Sequence, residues 1–418
     1  MSPSVNSFLM AALAVAQVAL AAPYPLQARA PSADISTAPG TYSVNQVRNV
    51  NFQRNGPLAL AKAYKKFGAP MPEKLVAAVA KHTKRATGSA TTKPVDSSDS
   101  EFLTPVQVGT PPQTLMLDFD TGSSDLWVFS TETAKQDVNG QTLYQPGKSS
   151  TAQKLTGATW SITYGDGSSS SGDVFMDVVS VGGLAVQSQA VESALKASDE
   201  FTSESALSGL MGLAFSTLNT VQPKQQTTFF DTASSNLTSK LFTADLQHNA
   251  PGKYNFGFID ATAHNGTIGF TPVDNSQGFW GFTSNAFAVG NSQMVPASIS
   301  GIADTGTTLL LLPDAVNMAY YSQIQGAELS EEDGGYVFPC NAEAPNFSFE
   351  VGGQAITIPG QFMNFSAVGG GSNLCFGGMQ SSDSIGMNIF GDVALKSAFV
   401  VFDGGNLQLG WATKPLTV

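Results

Sequence analysis

The sequence is poor in the residue types that build metal centres. Its 418 residues include two cysteines and three histidines, and charged residues make up 12% of the chain. Two cysteines cannot form a four-cysteine zinc site. His248 and His264, the only histidines after residue 85, are too few for a histidine triad and are interpreted as solvated loop residues. The sequence therefore predicts neither a metal nor another cofactor.

Long apolar runs are also scarce. Residues 8–22 are apolar apart from Gln17, and this run is shorter than the roughly 20 residues of a membrane span. Ala19-Leu20-Ala21 resembles a signal-peptidase site, although no Lys or Arg precedes the run. We expect residues 1–21 to be a signal peptide and the protein to be secreted and extracellular. No second apolar span or hydrophobic C-terminal tail occurs, so a transmembrane or GPI-anchored form is disfavoured.

The two cysteines, Cys340 and Cys375, are 35 residues apart. In a chain with a secretion signal, a single disulfide between them is favoured. Two buried free thiols remain the alternative. Four N-glycosylation motifs also agree with secretion, and they begin at Asn236, Asn265, Asn346 and Asn364.

Charge is divided unevenly along the chain. The first 85 residues carry ten basic and two acidic side chains, a net charge of +8, whereas the rest carry ten basic and 30 acidic side chains, a net charge of −20. The acidic part would repel phosphate, so a nucleic-acid partner is disfavoured. A soluble acidic protein with a basic tail is the simpler interpretation. The sharper one is that residues 22–85 are a propeptide that docks on the acidic part until the pH changes.

Two signals lie within the predicted propeptide. Residues 57–67 have a helical pattern with Pro57 at its start and Gly68 at its end. Lys84-Arg85 is a dibasic pair followed by a polar stretch of the kind where proteolytic nicking is expected. The pair alone is a weak signal, and its position between a basic and an acidic segment strengthens it.

Strand and turn patterns dominate after residue 102. Residues 103–109 and 113–120 read as strands around the turn Thr110-Pro111-Pro112, and the clearest helical pattern covers residues 312–321. Abundant Gly, Ser and Thr agree with many short strands and tight turns. The sequence therefore predicts an all-β fold.

One triplet, Asp-Thr-Gly, occurs twice in apolar surroundings, at Asp120 and at Asp304. Each copy is followed much later by two apolar residues and a glycine, ending at Gly212 and Gly391, so the separations of 92 and 87 residues nearly match. Two similar lobes follow from this repeat. A buried carboxylate is costly unless something compensates it. If the copies face each other, their carboxyls can share one proton, as peptide hydrolysis by paired aspartates requires.

With these motifs the chain resembles the pepsin-like aspartic proteases from about residue 101 to 413. Stretches such as Thr159–Ser168, Asp274–Trp280 and Gly301–Leu312 resemble the secreted fungal aspergillopepsin and penicillopepsin type. The resemblance implies a bilobal fold of two distorted β-barrels with a cleft between them. We expect an N-terminal lobe at 86–260 and a C-terminal lobe at 261–418, with the boundary near 260–271.

The resemblance also implies roles for the motif residues. Asp120 and Asp304 would hold the attacking water and share one proton. The support residues are Thr121 and Thr305, which would bond across the lobes, Gly122 and Gly306, which would bring backbone N–H groups close, and Ser123 and Thr307, which would orient the carboxyls. Ordinary loop Ser and Thr residues are the alternative for the last two. One of the propeptide lysines, Lys65 or Lys66, would pair with the aspartates in the precursor.

A hairpin called the flap would close over the substrate. Its residues would be Tyr164, Gly165, Asp166 and Ser168, with Trp127 holding the Tyr164 hydroxyl through its indole N–H. A generic surface hairpin is the alternative. Asp166 beside Ser168 would let the enzyme accept Lys before the cut, within a broad preference for apolar residues on both sides of it.

The resemblance thus implies a monomeric acid endopeptidase that is made as a zymogen. Its partners would be polypeptide substrates and its own propeptide, acting as an intramolecular inhibitor. Two alternatives are a catalytically dead relative used for binding and a carbohydrate enzyme built on two carboxylates. The intact motifs disfavour the first, and the lobe repeat disfavours the second.

Overall fold

The computed structural model describes residues 39–49, 52–86, 102–163, 169–369 and 371–416. The predicted signal peptide lies outside these residues, as does the polar stretch after Lys84-Arg85. Among the described residues, no helix is long and apolar enough to cross a membrane.

Strands make up most of the regular structure. In the described residues they are β1 (Tyr42–Asn45), β2 (Val47–Arg48), β3 (Phe102–Val108), β4 (Gln113–Asp120), β5 (Leu126–Phe129), β6 (Gln153–Thr163), β7 (Ser169–Val181), β8 (Leu184–Ala197), β9 (Gly209–Gly212), β10 (Leu241–Asp245), β11 (Lys253–Phe256), β12 (Gly269–Pro272), β13 (Gly281–Val289), β14 (Val295–Ala303), β15 (Leu310–Leu312), β16 (Glu328–Ser330), β17 (Gly335–Pro339), β18 (Phe347–Val351), β19 (Gln354–Ile358), β20 (Asn364–Ala367), β21 (Leu374–Gly377), β22 (Met379–Ser381), β23 (Asn388–Phe390), β24 (Phe399–Asp403) and β25 (Gln408–Ala412).

Helices are few and mostly short. The α-helices of the described residues are α1 (Gly56–Lys66), α2 (Glu73–Ala86), α3 (Asp199–Thr202), α4 (Phe229–Ala233), α5 (Asp314–Tyr321) and α6 (Asp392–Leu395). Short 3-10 turns lie at Lys135–Asp137, Pro146–Lys148, Ser216–Leu218, Ser234–Asn236 and Gly360–Met363. The predicted all-β class is therefore confirmed.

The first half of the body forms a closed sheet. Its strand order is β2-β3-β4-β9-β5-β8-β7-β6, and an additional pairing between β3 and β7 closes it. Alternate residues of β7 point into the core, as the period of a strand requires. Closure removes exposed strand edges, so this lobe is a distorted barrel.

The second half forms two further sheets. One has the order β19-β18-β13-β14-β23-β15-β22, and the other has the order β16-β17-β21-β20. The predicted disulfide is present between Cys340 and Cys375, whose Cα atoms are 4.9 Å apart, and it joins the end of β17 to β21.

A six-stranded sheet joins the two halves, which the sequence did not predict. Its order is β1-β11-β10-β24-β25-β12, so it combines strands from both halves of the repeat. Its edge strand β1 comes from the predicted propeptide and pairs antiparallel with β11 over four residues. The predicted lobe boundary near 260–271 covers most of the connection from β11 to β12 and the first residues of β12, and it stays a prediction.

The predicted helix at residues 57–67 is confirmed as α1. Asn55 caps it by accepting a hydrogen bond from the Leu58 N–H at 3.0 Å, and Pro57 occupies its first turn. Gly68, with a φ of 66°, follows its end, where a residue without a Cβ is favoured. Lys84-Arg85 lies in the last turn of α2.

The second helix prediction is partly wrong. The helix predicted at 312–321 begins only at Asp314, because Leu310–Leu312 is the strand β15. That strand is held between β22 and β23, so tertiary pairing overrides the helical pattern of the leucines.

Candidate active site

Matching strands bring Asp120 and Asp304 to the same place. Asp120 ends β4, which runs parallel to β9 with Asp120 opposite Gly212. Asp304 directly follows β14, which runs parallel to β23, and its N–H donates to the Phe390 carbonyl at 3.1 Å. Each aspartate thus leaves its strand beside the apolar pair that the sequence repeat marks. Both side chains are buried, at 2% and 0% exposure.

The two threonines tie the loops together. The Thr121 N–H donates to Thr305 Oγ1 at 3.1 Å, and the Thr305 N–H donates to Thr121 Oγ1 at 3.0 Å. Each hydroxyl then donates to the opposite lobe, Thr121 to the Ala303 carbonyl at 2.8 Å and Thr305 to the Phe119 carbonyl at 2.6 Å. This buried, symmetrical network fixes the distance between the aspartates.

Each glycine makes room for the aspartate of the other lobe. A Cβ on Gly122 would lie 2.5 Å from Asp304 Oδ1, and a Cβ on Gly306 would lie 2.3 Å from Asp120 Oδ1. Such contacts are too close for any side chain. Glycine is therefore required at both positions by the approach of the opposite carboxyl, and not by its own backbone angles.

Donors from each loop orient its own carboxyl. The Gly122 N–H donates to Asp120 Oδ1 at 2.8 Å, and the Ser123 hydroxyl donates to Asp120 Oδ2 at 2.6 Å. In the second loop, the N–H of Gly306 and the hydroxyl of Thr307 donate to Asp304 Oδ1 and Oδ2 at 3.0 and 2.5 Å. The alternative of ordinary loop residues therefore does not describe Ser123 and Thr307.

A lysine of the predicted propeptide lies between the aspartates. Lys66 Nζ is 2.6 Å from Asp120 Oδ1 and 2.9 Å from both carboxyl oxygens of Asp304. Its side chain is 10% exposed. Lys66 is the last residue of α1, so the position of that helix over the cleft carries the ammonium to the carboxyls.

The pKa values of the two carboxyls beside the lysine are shifted in opposite directions. Burial works against charge on both, but the charge and hydrogen bond of Lys66 hold the pKa of Asp120 below its usual value. For Asp304, burial and the negative charge of Asp120 outweigh Lys66 and raise the pKa to about 6. The two carboxylates in turn outweigh burial for Lys66, so that its pKa is raised and it stays charged.

The cleft around this group is shared by the predicted propeptide and both lobes. A cavity of about 850 Å³ is lined by propeptide residues such as Phe52 and Lys62 and by body residues such as Asp118 and Phe279. The Phe67 and Phe279 rings meet edge to face, with centroids 5.9 Å apart. Apolar side chains of the predicted propeptide therefore line the walls of the cleft.

The flap prediction falls largely outside the described residues. β6 and β7 pair antiparallel up to Thr163 opposite Ser169, so residues 164–168 connect them. Tyr164, Gly165, Asp166 and Ser168 belong to that connection, and their predicted contacts stay predictions. Trp127 is fully buried, with its ring 6.0 Å from that of Trp160 and 4.9 Å from that of Phe201. Among the described residues, its Nε1 has no hydrogen-bond partner.

The four glycosylation motifs differ in accessibility. Asn265 and Asn346 are exposed, whereas Asn236 and Asn364 are half-buried. The Asn364 amide, the group that would carry a glycan, donates to the Cys340 carbonyl at 2.9 Å.

Both body histidines are packed more closely than predicted. His248 stacks on Phe362 at 4.1 Å, and burial lowers its pKa to about 4.

Sequence reasoning missed a second pair of carboxyls behind the Asp120 loop. Asp125 and Glu192 are both buried, and Asn219 donates to both, at 3.0 and 2.9 Å. Asp125 could have been noticed from its place in the motif, but Glu192 lies in an ordinary strand pattern and gave no signal. Another missed residue is Arg54, whose Nη1 donates to the Phe365 carbonyl at 3.0 Å.

The geometry agrees with what comparison to known proteins finds. A model of the eukaryotic aspartyl protease family matches residues 101–414. The chain belongs to this family. It is 57% identical over 419 residues to endothiapepsin of Cryphonectria parasitica, covering 99% of this chain and 100% of the relative. It is also 51% identical over 413 residues to aspergillopepsin-1 of Aspergillus oryzae, with 98% and 100% covered.

A third relative, penicillopepsin-3 of Penicillium janthinellum, is 52% identical over 373 residues, covering 89% of this chain and 92% of the relative. Among solved structures, the aspartic proteinase from Irpex lacteus matches with a TM-score of 0.62 and 24% identity, covering 76% of this chain and 95% of that one. This match shows the bilobal fold alone. As an aspartyl protease of the fungal pepsin type, the chain is an aspartic endopeptidase that acts on polypeptides.

Proposed function

We propose that this chain is the precursor of a secreted acid endopeptidase in which Asp120 and Asp304 activate water. The observation that carries the proposal is the mutual fit of the two loops. Each aspartate is oriented by two donors of its own loop and accommodated by the glycine of the other. This arrangement places two buried carboxyls within hydrogen-bonding distance of one small group. In the precursor that group is the ammonium of Lys66.

In the mature enzyme, water takes the position of the lysine ammonium. Two close carboxyls cannot easily both ionise, so the pair carries one proton at acid pH. The ionised carboxyl takes a proton from water as the water oxygen attacks the peptide carbonyl, and the protonated carboxyl donates to the carbonyl oxygen. The tetrahedral intermediate then collapses as a proton passes to the leaving nitrogen. The pair titrates as a unit, so neither step is assigned to one residue alone.

Residues 22–85 act as an inhibitory propeptide in this proposal. Support comes from Lys66, which neutralises the carboxyls and fills the site of the attacking water. Further support comes from α2, where Leu75 is fully buried and its Cα would lie 2.8 Å from a Cβ on Gly334. Lys74 and Lys81 of the same helix pair with Glu331 and Glu332.

Substrate preference follows from the surfaces that the propeptide covers. Leu60 and Tyr64 of α1 pack in one cluster with the body residues Ile302, Phe376 and Ile389. When the propeptide leaves, these walls favour apolar side chains on both sides of the cut. Acceptance of Lys before the cut, through Asp166, remains part of the proposal and concerns a residue outside the described ones.

Substitution of either aspartate tests the catalytic assignment. Asp120→Asn and Asp304→Asn should each abolish proteolysis at acid pH while the circular dichroism spectrum stays that of the wild type. Pepstatin-sensitive activity in either purified variant would exclude the paired mechanism. A wild-type protein that folds but cleaves no peptide at acid pH would favour the dead relative instead.

Secretion and processing need a separate test. N-terminal sequencing of the protein recovered from the culture medium should locate the mature start after Lys84-Arg85. Size-exclusion chromatography of the same sample tests the monomeric state.

A further inference from the structure

We propose that Glu192 and Asp125 form a second, proton-sharing carboxyl pair, which acts as a positioning pair behind the catalytic loop that starts at Asp120. The role in positioning rests on the proposed function of Asp120, whereas the shared proton does not.

The two carboxyls are unequally supplied with donors. Asp125 Oδ1 accepts from the Thr220 N–H at 2.8 Å, from the Thr220 hydroxyl at 3.1 Å and from Asn219 Nδ2 at 3.0 Å. Glu192 Oε1 accepts only from Asn219 Nδ2 at 2.9 Å, and Glu192 Oε2 receives no donor from the described residues. A buried carboxylate oxygen without a donor is costly. The imbalance disappears if Glu192 carries a proton and donates it to the Asp125 carboxylate.

Within the described part of the chain, no positive charge is among the groups that shift the pKa values of this pair. Both side chains are at most 2% exposed. The titratable groups that act on the pair are its own two members and Asp120, and all of them are acids. Burial, followed by the charge and hydrogen bond of Asp125, raises the pKa of Glu192 well above 4.5.

Among the described residues, the neighbouring elements add one further acid, Glu132, which accepts from the Ser193 hydroxyl at 3.0 Å next to Glu192. In the sheet, Glu192 of β8 lies opposite Trp127 of β5 and Val174 of β7, and the loop after β9 contributes Asn219 and Thr220. Ionisation of both carboxyls would therefore place two uncompensated charges in this pocket.

The pair is connected to the catalytic loop by hydrogen bonds. Asn219, which bridges the carboxyls, also donates to the Ser124 carbonyl at 3.2 Å. The Asp125 carbonyl accepts from the Gly212 N–H at 2.9 Å, and the Leu213 N–H donates to the Asp120 carbonyl at 2.7 Å. Loss of the proton therefore disturbs the segment that fixes Asp120, without any change at the catalytic carboxyls themselves.

The pH dependence has a defined sign. A folded-state pKa above the unfolded value means that the stabilisation is fully present below the unfolded value, here about 4.5, and is lost as the pH rises toward the folded pKa. Within that window the ratio of folded to unfolded protein falls by about tenfold per pH unit because of this one proton. The loss begins above pH 4.5 and continues until the folded-state pKa is reached.

The test is denaturant unfolding of the purified precursor at pH 4.5 and 6.5. Glu192→Gln keeps the size of the side chain and supplies a permanent donor to Asp125. Its ratio of folded to unfolded protein should therefore fall less over this range than that of the wild type, by up to about tenfold per pH unit. Asp125→Asn supplies a donor to an ionised Glu192 and should behave alike. The control is Glu132→Gln, since the Glu132 carboxylate accepts from the Ser193 hydroxyl beside Glu192 but is half-buried and outside the pair. It should follow the wild type.

Parallel loss of stability in the wild type and in Glu192→Gln would overturn the proposal, as would failure of both pair variants to fold at pH 4.5. The positioning role has its own readout. In the mature enzyme, Glu192→Gln should keep kcat at acid pH and extend it to higher pH. Unchanged alkaline loss of kcat would exclude that role. If instead Asp120→Asn stayed active, the proposed function would fail. The unfolding result would still decide whether Glu192 and Asp125 share a proton.

Discussion

Removal of the lysine ammonium between the aspartates should open the precursor. In Lys66→Gln, the short contacts of Nζ with Asp120 and Asp304 are lost, while a side chain of similar length remains. Removing one partner of a buried ion pair costs about 3–5 kcal/mol. We expect the lower end, about 3 kcal/mol, because the two carboxyls can relieve their repulsion by sharing a proton. This figure corresponds to about a 100-fold shift toward the open form.

The pH dependence of the wild-type contact follows from the two pKa shifts. Asp304, with a pKa of about 6, takes up a proton first on acidification, which leaves Lys66 with one charged partner instead of two. The pKa of Asp120 is held below its usual 3.8, so its contribution is fully present above pH 3.8 and is lost as the pH falls through the lowered value. The raised pKa of Asp304 does not itself weaken the closed form on acidification, because a raised folded-state pKa costs stability only as the pH rises. The closed form should therefore weaken below pH 3.8, as Asp120 takes up its proton.

The assay is the initial rate of cleavage of a quenched peptide by the purified precursor near pH 6, with gels showing that the chain is still intact. Lys66→Gln should cleave about 100-fold faster than the wild-type precursor. The matched control is Lys65→Gln, since Lys65 lines the same cavity but, within the described residues, forms no ion pair with either aspartate. Equal rates for all three precursors would refute the reasoning.

Three further predictions concern packing and surface chemistry. Gly306→Ala would place a Cβ 2.3 Å from Asp120 Oδ1. The kcat of the mature enzyme should therefore fall by at least 100-fold, while the melting temperature of the protein changes little. Leu75→Ala empties a fully buried site and should weaken propeptide docking by about 2–5 kcal/mol, seen as faster conversion at a given pH. Asn265→Gln should remove a glycan detectable by mass spectrometry, whereas Asn364→Gln should change the mass only by the substitution itself, because the Asn364 amide is engaged with a backbone carbonyl.

The motif residues could be predicted from the sequence because the pattern that marks them is local and occurs twice. Asp120 and Asp304 lie at the ends of matching apolar strands with turn glycines, and the repeat together with the family resemblance predicts that they meet. The choice between Lys65 and Lys66 was not available, since both end the same helical pattern. It depends on how α1 lies across the cleft, which is set by packing with residues some 300 positions away.

Long-range pairings were also out of reach. Nothing in the pattern of residues 42–45 indicates that they complete a sheet with residues 253–256. In the sequence, Glu192 is one polar position in a half-buried strand. The proposed proton on its carboxyl can be inferred only once the fold places Asp125 and Asn219 beside it. The helix boundary at Asp314 was missed for the same reason, since the leucines before it belong to a strand held by two others.

The strand β1 has a consequence for the life of the molecule after processing. It covers the outer edge of β11, and under the proposed processing it would be removed with the propeptide. Loss of β1 turns an interior strand into an edge whose N–H and C=O groups can template another chain. If the propeptide is removed as proposed, the processed enzyme would expose this strand edge, and a further segment of the same molecule must then cover it if self-association is to be avoided.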